Sequence, residues 1–274
     1  MTELSPLWTG AIERTRVMNG DTLVGGRGSM LKAAGKIAVG LLAGLLASVP
    51  ALADDDLFGT PGRGLDIDFV SPFGACDGDC AIHVFTGRQT SVSMPRALGL
   101  QNPITDGWGF QPIQPIWDWP WEDSGFVGIA ASRRLLSVGF LGLEDALQLE
   151  GEVGFGQRVG SQTEIEVWGA LYARWTRFPW EKVVRTTVGI STGLNWASGI
   201  SAFEVTESSN DEGSQLLHYL SPEITFALPD EPENELVIRL HHRSGGGPLF
   251  GADGIFNGTW AGSQFLNIGM RYRF

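Results

Sequence analysis

The side chains with the most chemical capacity lie close together near the end of the chain. Two of the four histidines are adjacent, in the run Glu235-Leu236-Val237-Ile238-Arg239-Leu240-His241-His242-Arg243-Ser244-Gly245. An imidazole and a hydroxyl two residues apart are the start of a nucleophile–base pair: the ring takes the hydroxyl proton as the oxygen attacks a carbonyl. If the run is extended, its side chains point to alternate faces. Leu236, Ile238, Leu240, His242 and Ser244 then share one face, and Glu235, Val237, Arg239, His241 and Arg243 share the other. Same-face neighbours are about 7 Å apart at Cα, so suitable rotamers bring the hydroxyl to the ring. A blander reading is that His and Ser mark a strand end at a polar boundary, and parity leaves both open. His241 and Arg243, on the opposite face, are read as structural, as are His83 and His218, which have no evident partner.

The chain around this run alternates with period two, segment after segment. In 147–157, Leu147, Leu149, Gly151, Val153 and Phe155 oppose Gln148, Glu150, Glu152, Gly154 and Gly156. In 184–196, Val184, Val188, Ile190, Leu194 and Trp196 oppose Arg185, Thr187, Gly189, Ser191, Gly193 and Asn195. Eight such segments lie near 81–91, 124–134, 146–158, 162–175, 183–197, 215–228, 234–244 and 264–274, with no helical-period stretch between them. Several are longer than the usual strand of about 5–6 residues, whereas a tilted strand of about 9–11 residues crosses a bilayer.

Two closed architectures suit an even-stranded meander. In a soluble lipocalin-like barrel the apolar face points inward; in a membrane barrel it points to lipid and the polar face fills the lumen. Here the polar faces carry Glu150, Glu152, Glu164, Glu166, Glu223, Arg174, Arg185, Arg239 and Arg271 with many glycines, which suits a narrow interior where opposite charges pair. The fold expected is therefore all-β: an eight-stranded antiparallel up-and-down transmembrane β-barrel over 81–274. Glu223 and Arg239 fall on inward faces of neighbouring strands and are expected to pair. Short turns such as 229–233 should face the periplasm and the longer loops 92–123, 198–214 and 245–263 the outside. Trp108, Trp117, Trp119 and Trp121 crowd the first of these loops, as an interfacial aromatic belt or as a platform for carbohydrate or lipid.

The N-terminal part reads as export. A basic stretch, Met30 to Lys36, precedes the uncharged apolar run 37–49 and then Pro50-Ala51-Leu52-Ala53. That order is a signal peptide with cleavage after Ala53, and 13 apolar residues are too few for a spanning helix of about 20. Residues 1–53 are thus leader and 54–80 an irregular periplasmic arm. Cys76 and Cys80 lie in the exported part, where a disulfide is plausible. The net charge of -12 argues against a nucleic-acid partner, which needs a basic face.

The last segment adds a separate sign. Leu266, Ile268, Met270, Tyr272 and Phe274 alternate with polar residues and the chain stops on Phe274. This resembles the C-terminal aromatic signature of bacterial outer-membrane barrels. The likeness implies a Gram-negative outer-membrane location and the barrel-insertion machinery as a partner that reads Phe274.

A barrel of eight strands with His-x-Ser near the end of its penultimate strand is similar to the PagL-type lipid A 3-O-deacylases. The resemblance implies a hydrolase acting on lipid A, within lipopolysaccharide of the outer leaflet, from the barrel's outside wall. It implies Ser244 as nucleophile and His242 as base, with no metal or cofactor. The family's Glu on the last strand is matched in position by Gln264, which shares the parity of Phe274; Asp253 is the one acid after the seventh strand. Where the family has Asn after the Ser, this chain has Gly245, and backbone N–H groups near Gly245 and Gly246 are expected to hold the oxyanion. The competing class is a non-catalytic structural or adhesive barrel.

Overall fold

A computed structural model describes residues 64–101, 107, 109–206, 213–245, 256, 259 and 262–274. The leader, the start of the arm, Trp108, Gly246 and Asp253 lie outside the described residues.

Ten strands follow in order: β1 (Asp66–Phe69), β2 (Cys80–Thr90), β3 (Trp121–Phe140), β4 (Leu143–Gly160), β5 (Ile165–Trp175), β6 (Arg185–Ala197), β7 (Leu216–Leu220), β8 (Pro222–Leu228), β9 (Glu231–Ser244) and β10 (Gln264–Arg273). β7 and β8 form one stave interrupted at Ser221; both pair with β6 and with β9. Every pairing is antiparallel; from β2 onward each stave pairs with its chain neighbours, and β10 closes on β2 with Phe265 opposite Gln89 and Arg273 opposite Ala81. The result is an eight-stave barrel. The ends seal the seam, because Phe274 and Cys80 exchange both backbone hydrogen bonds, at 2.9 and 3.3 Å.

The arm is not wholly irregular. β3 pairs with β2 only as far as Arg133 opposite Cys80, so its last residues extend past the barrel wall with one edge open. An open edge is a row of unpaired N–H and C=O groups. β1 covers it, Asp66 facing Gly139 and Phe69 facing Leu136. A Cys76–Cys80 disulfide, with the Cα atoms 5.1 Å apart, ties the arm to the foot of β2.

Polarity along the staves is inside-out. Val84, Val127, Ile129, Val153, Phe155, Val167, Ile190, Leu194 and Ile268 are exposed on the outside, while Glu150, Glu152, Glu166, Arg174, Glu223, Arg239 and Arg271 are buried in the lumen. Such a wall is stable only against lipid, so the barrel is of the transmembrane kind, and closed β-barrels of this kind are outer-membrane structures. The sequence expectation of a lipid-facing apolar face is met, and the soluble-barrel alternative is not.

The lumen is filled, as eight staves require. Phe85, Phe126, Trp168, Tyr172, Tyr219 and Phe265 pack across its middle. Gly154 and Gly156 make room for this, because a Cβ at either would enter the ring of Trp168 or Phe126. Below the rings, Arg239 donates to Glu223 at 2.7 Å and to Glu152 at 2.7 Å, and Arg174 donates to Glu223 at 2.7 Å. Above them, Arg158 donates to Glu166 at 2.6 Å and to Glu204 at 2.9 Å. Glu204 belongs to the short helix Ala202–Thr206 of the β6–β7 connection, which is thereby pinned over the mouth of the lumen.

Candidate functional site

β9 alternates as its sequence requires. Val237, Arg239, His241 and Arg243 are buried toward the lumen, and Leu236, Ile238, His242 and Ser244 lie on the outer face. His241 is fully enclosed: Nε2 bonds Glu166 at 2.8 Å, Nδ1 bonds the Tyr219 hydroxyl at 3.2 Å, and the ring centroid is 4.5 Å from that of Phe126. Its bond to a carboxylate is what a catalytic histidine has, yet it is sealed in the core.

On the outer face, β9 pairs with β10 so that His242 stands opposite Gln264. His242 Nδ1 is 3.1 Å from Gln264 Oε1, and Gln264 Nε2 donates to the backbone carbonyl of Val92. In the neutral ring these two bonds select the tautomer. The Val92 carbonyl can only accept, so the amide must turn its NH₂ toward it and its oxygen toward His242. That oxygen can only accept, so Nδ1 carries the proton. Nε2 is left with a lone pair, which is the tautomer a general base needs.

Val92 reaches Gln264 because the first long connection folds down onto the outer wall. Val92, Trp119 and Leu240 form one buried cluster, with Met94, Ala97, Trp121 and Leu266 packed around it. Leu240 is outward by parity but only 5% exposed, because this connection covers it. Thr90 Oγ1 donates to the Pro120 carbonyl at 2.9 Å and accepts from Val92 N–H at 3.2 Å, joining the two ends of the loop. The tryptophans therefore divide: Trp119 is buried on the wall, Trp121 lies beside it with the rings tilted by 31° and centroids 5.8 Å apart, and Trp117 is 77% exposed.

The other side of the site is β7. His218 and Ser244 are directly opposite in the register, and Leu220 is opposite His242. Leu217 and Tyr219 are fully buried inward, so His218 faces outward like Ser244. Its Nε2 is 2.9 Å from Thr192 Oγ1 on β6. Reading the sequence for the site missed His218. Its outward parity was visible in Leu216-Leu217-His218-Tyr219-Leu220, but its partner depends on the register between β7 and β9, which no local pattern encodes. Thr192, His218, Ser244, His242 and Gln264 thus form a polar row across four staves of the outer wall.

No protein-family model matches this chain, and no curated protein does. Among solved structures, Neisserial surface protein A is similar, with a TM-score of 0.40 and 14% identity over 72% of this chain and 98% of that chain. Outer membrane protein W of E. coli is similar with a TM-score of 0.28 and 12% identity, over 72% of this chain and 98% of that chain. The barrel described above stands on this chain's own strand pairing.

Of the remaining expected site residues, Gly245 is described: it is buried against the Thr259 carbonyl, so close that a Cβ has no room. Asp253, expected as an alternative third member, and Gly246, expected at the oxyanion, lie outside the described residues.

Proposed function

We propose that this chain is an outer-membrane ester hydrolase that removes an ester-linked acyl chain from lipid A, working from its lipid-facing wall. His242 Nε2 takes the proton of Ser244 as Oγ bonds to the ester carbonyl carbon. Collapse of the tetrahedral intermediate breaks the carbonyl–alkoxy bond, and the sugar oxygen leaves with the proton from His242. Water, deprotonated by the same nitrogen, then cleaves the seryl ester and releases the fatty acid.

The observation that carries this reading is the oriented imidazole. A histidine that only fills a strand end needs no fixed tautomer; here a bridging amide leaves the lone pair on Nε2, on the face that Ser244 shares. The reacting ester of lipid A lies at headgroup depth, where the upper outer wall of a barrel is found. The alternative, a non-catalytic structural or adhesive barrel, draws on Ser244 being only 8% exposed. The test is ester cleavage by the folded protein in detergent, with purified lipid A as substrate. Ser244→Ala should abolish fatty-acid release and His242→Ala should reduce it at least 100-fold, on the order of a lost general base. Release that persists in Ser244→Ala contradicts the assignment of the nucleophile.

A further inference from the structure

We propose that His218 is a catalytic residue of the same outer-wall site: it donates the hydrogen bond that steadies the oxyanion formed when Ser244 attacks. The inference rests on the reading of Ser244 as nucleophile and adds a group that neither the motif nor its resemblance contains.

Three observations meet at His218. It is directly opposite Ser244 across the β7–β9 pair. Side chains directly opposite in an antiparallel pair have Cβ atoms about 4.5–5.5 Å apart, closer than the about 7 Å that separates same-face neighbours such as His242 and Ser244 along one strand. It faces lipid rather than lumen, since both chain neighbours are buried inward. It is not a loose ring, because Thr192 holds Nε2 at 2.9 Å.

The two imidazoles therefore flank the hydroxyl from two directions with different partners. His242 is tied through Nδ1 to an acceptor, which makes its free nitrogen a base. His218 is tied through Nε2 to a hydroxyl, which can donate. In the tautomer in which the Thr192 hydroxyl donates to Nε2, the ring proton sits on Nδ1 and the ring carries a donor on the strand position facing Ser244. A donor set across the strand pair, while the base lies along the strand, can serve an alkoxide forming on the carbonyl oxygen. A lipid-facing wall supplies little water to solvate that charge, so a protein donor there acts at low dielectric, where it is worth most. No step of the reaction gains or loses a proton through His218; it donates a hydrogen bond throughout.

The test compares His218→Ala, His218→Asn and Thr192→Val with wild type, each as full-length folded protein in detergent with purified lipid A. Folded fraction is normalised by mobility on an unboiled gel. His218→Ala is expected to lower kcat about 100-fold with KM nearly unchanged, the effect of removing one oxyanion donor. His218→Asn, whose amide N–H falls near the Nδ1 position, is expected to recover most of the rate. The acid limb of the pH–rate profile should stay in place in both, because the base is His242. Thr192→Val should lower kcat by releasing the ring tautomer. A normal rate in folded His218→Ala overturns the proposal while leaving Ser244 and His242 in place. A displaced acid limb without rescue by Asn makes His218 the base and overturns it too. Wild-type protein that leaves lipid A intact overturns the hydrolase itself, and this inference with it.

Discussion

Position 264 asks one side chain to accept from an imidazole and donate to a carbonyl at the same time. An amide does both; an ionised carboxylate only accepts. Gln264 makes a second bond, to the Val92 carbonyl, that an ionised Glu cannot make. Gln264→Glu keeps the acceptor for His242 Nδ1 but orphans a buried carbonyl, a loss of about 1–3 kcal/mol. Two results are expected: no gain in ester cleavage, and faster tryptic cut after the exposed Arg96 in the folded protein. A rate above wild type contradicts this and returns Gln264 to the role of a degraded triad member. The outward parity of His242, Ser244 and Gln264 was legible in the sequence, because period two assigns faces. Their connection to Val92 was not, since no periodicity links residue 92 to residue 264.

At the scale of elements, the first long connection is part of the wall rather than a free loop. It lies on β9 and β10 through Trp119 and Val92, buries Leu240, and forms one bank of the polar row whose other bank is β7. Trp119→Ala should detach it. The expected outcome is protein that still migrates as a folded barrel, with tryptic cleavage after Arg96 raised severalfold and ester cleavage reduced; unchanged protection of Arg96 sinks this role for Trp119. The eight staves themselves were readable, because each alternates for ten residues or more and a membrane strand must. The four residues of β1 were not. Asp66-Ile67-Asp68-Phe69 is too short to show a period, and it is a strand only because β3 outruns β2 and leaves an edge to cover. The break of one stave into β7 and β8 at Ser221 has the same character: it is a matter of pairing with Ser191, whose backbone N–H donates to the Ser221 carbonyl and whose Oγ accepts from Ser221 N–H.

For the whole molecule, the lumen is a layer of rings between two charged layers, and its ion pairs are what a single substitution disturbs most. Glu223 accepts from both Arg174 and Arg239, as the alternation of β8 and β9 led one to expect for the second of these. Removing one side of such a pair leaves the other buried without compensation. Glu223→Gln should cost about 3–5 kcal/mol, read as a lower guanidinium midpoint for unfolding from detergent or vesicles. A neutral effect means the lumen is wetter than its packing indicates. The same filled lumen sends any chemistry to the outside, and this is why the polar row on the wall matters. The carboxylate-paired His241, for all its resemblance to a catalytic histidine, is walled in by Phe126, Trp168 and Tyr219.

The proposed hydrolase cleaves lipid A from the barrel's outer wall with Ser244, primed by His242. Mass spectrometry of lipid A from Gram-negative cells expressing the wild-type chain or Ser244→Ala, at equal folded amounts in the outer membrane, tests it most directly. Lipid A is expected to be lighter by one ester-linked acyl chain with the wild type and unchanged with Ser244→Ala. Identical lipid A in both, at the mass of cells lacking the protein, would contradict it and leave the barrel a structural or adhesive one.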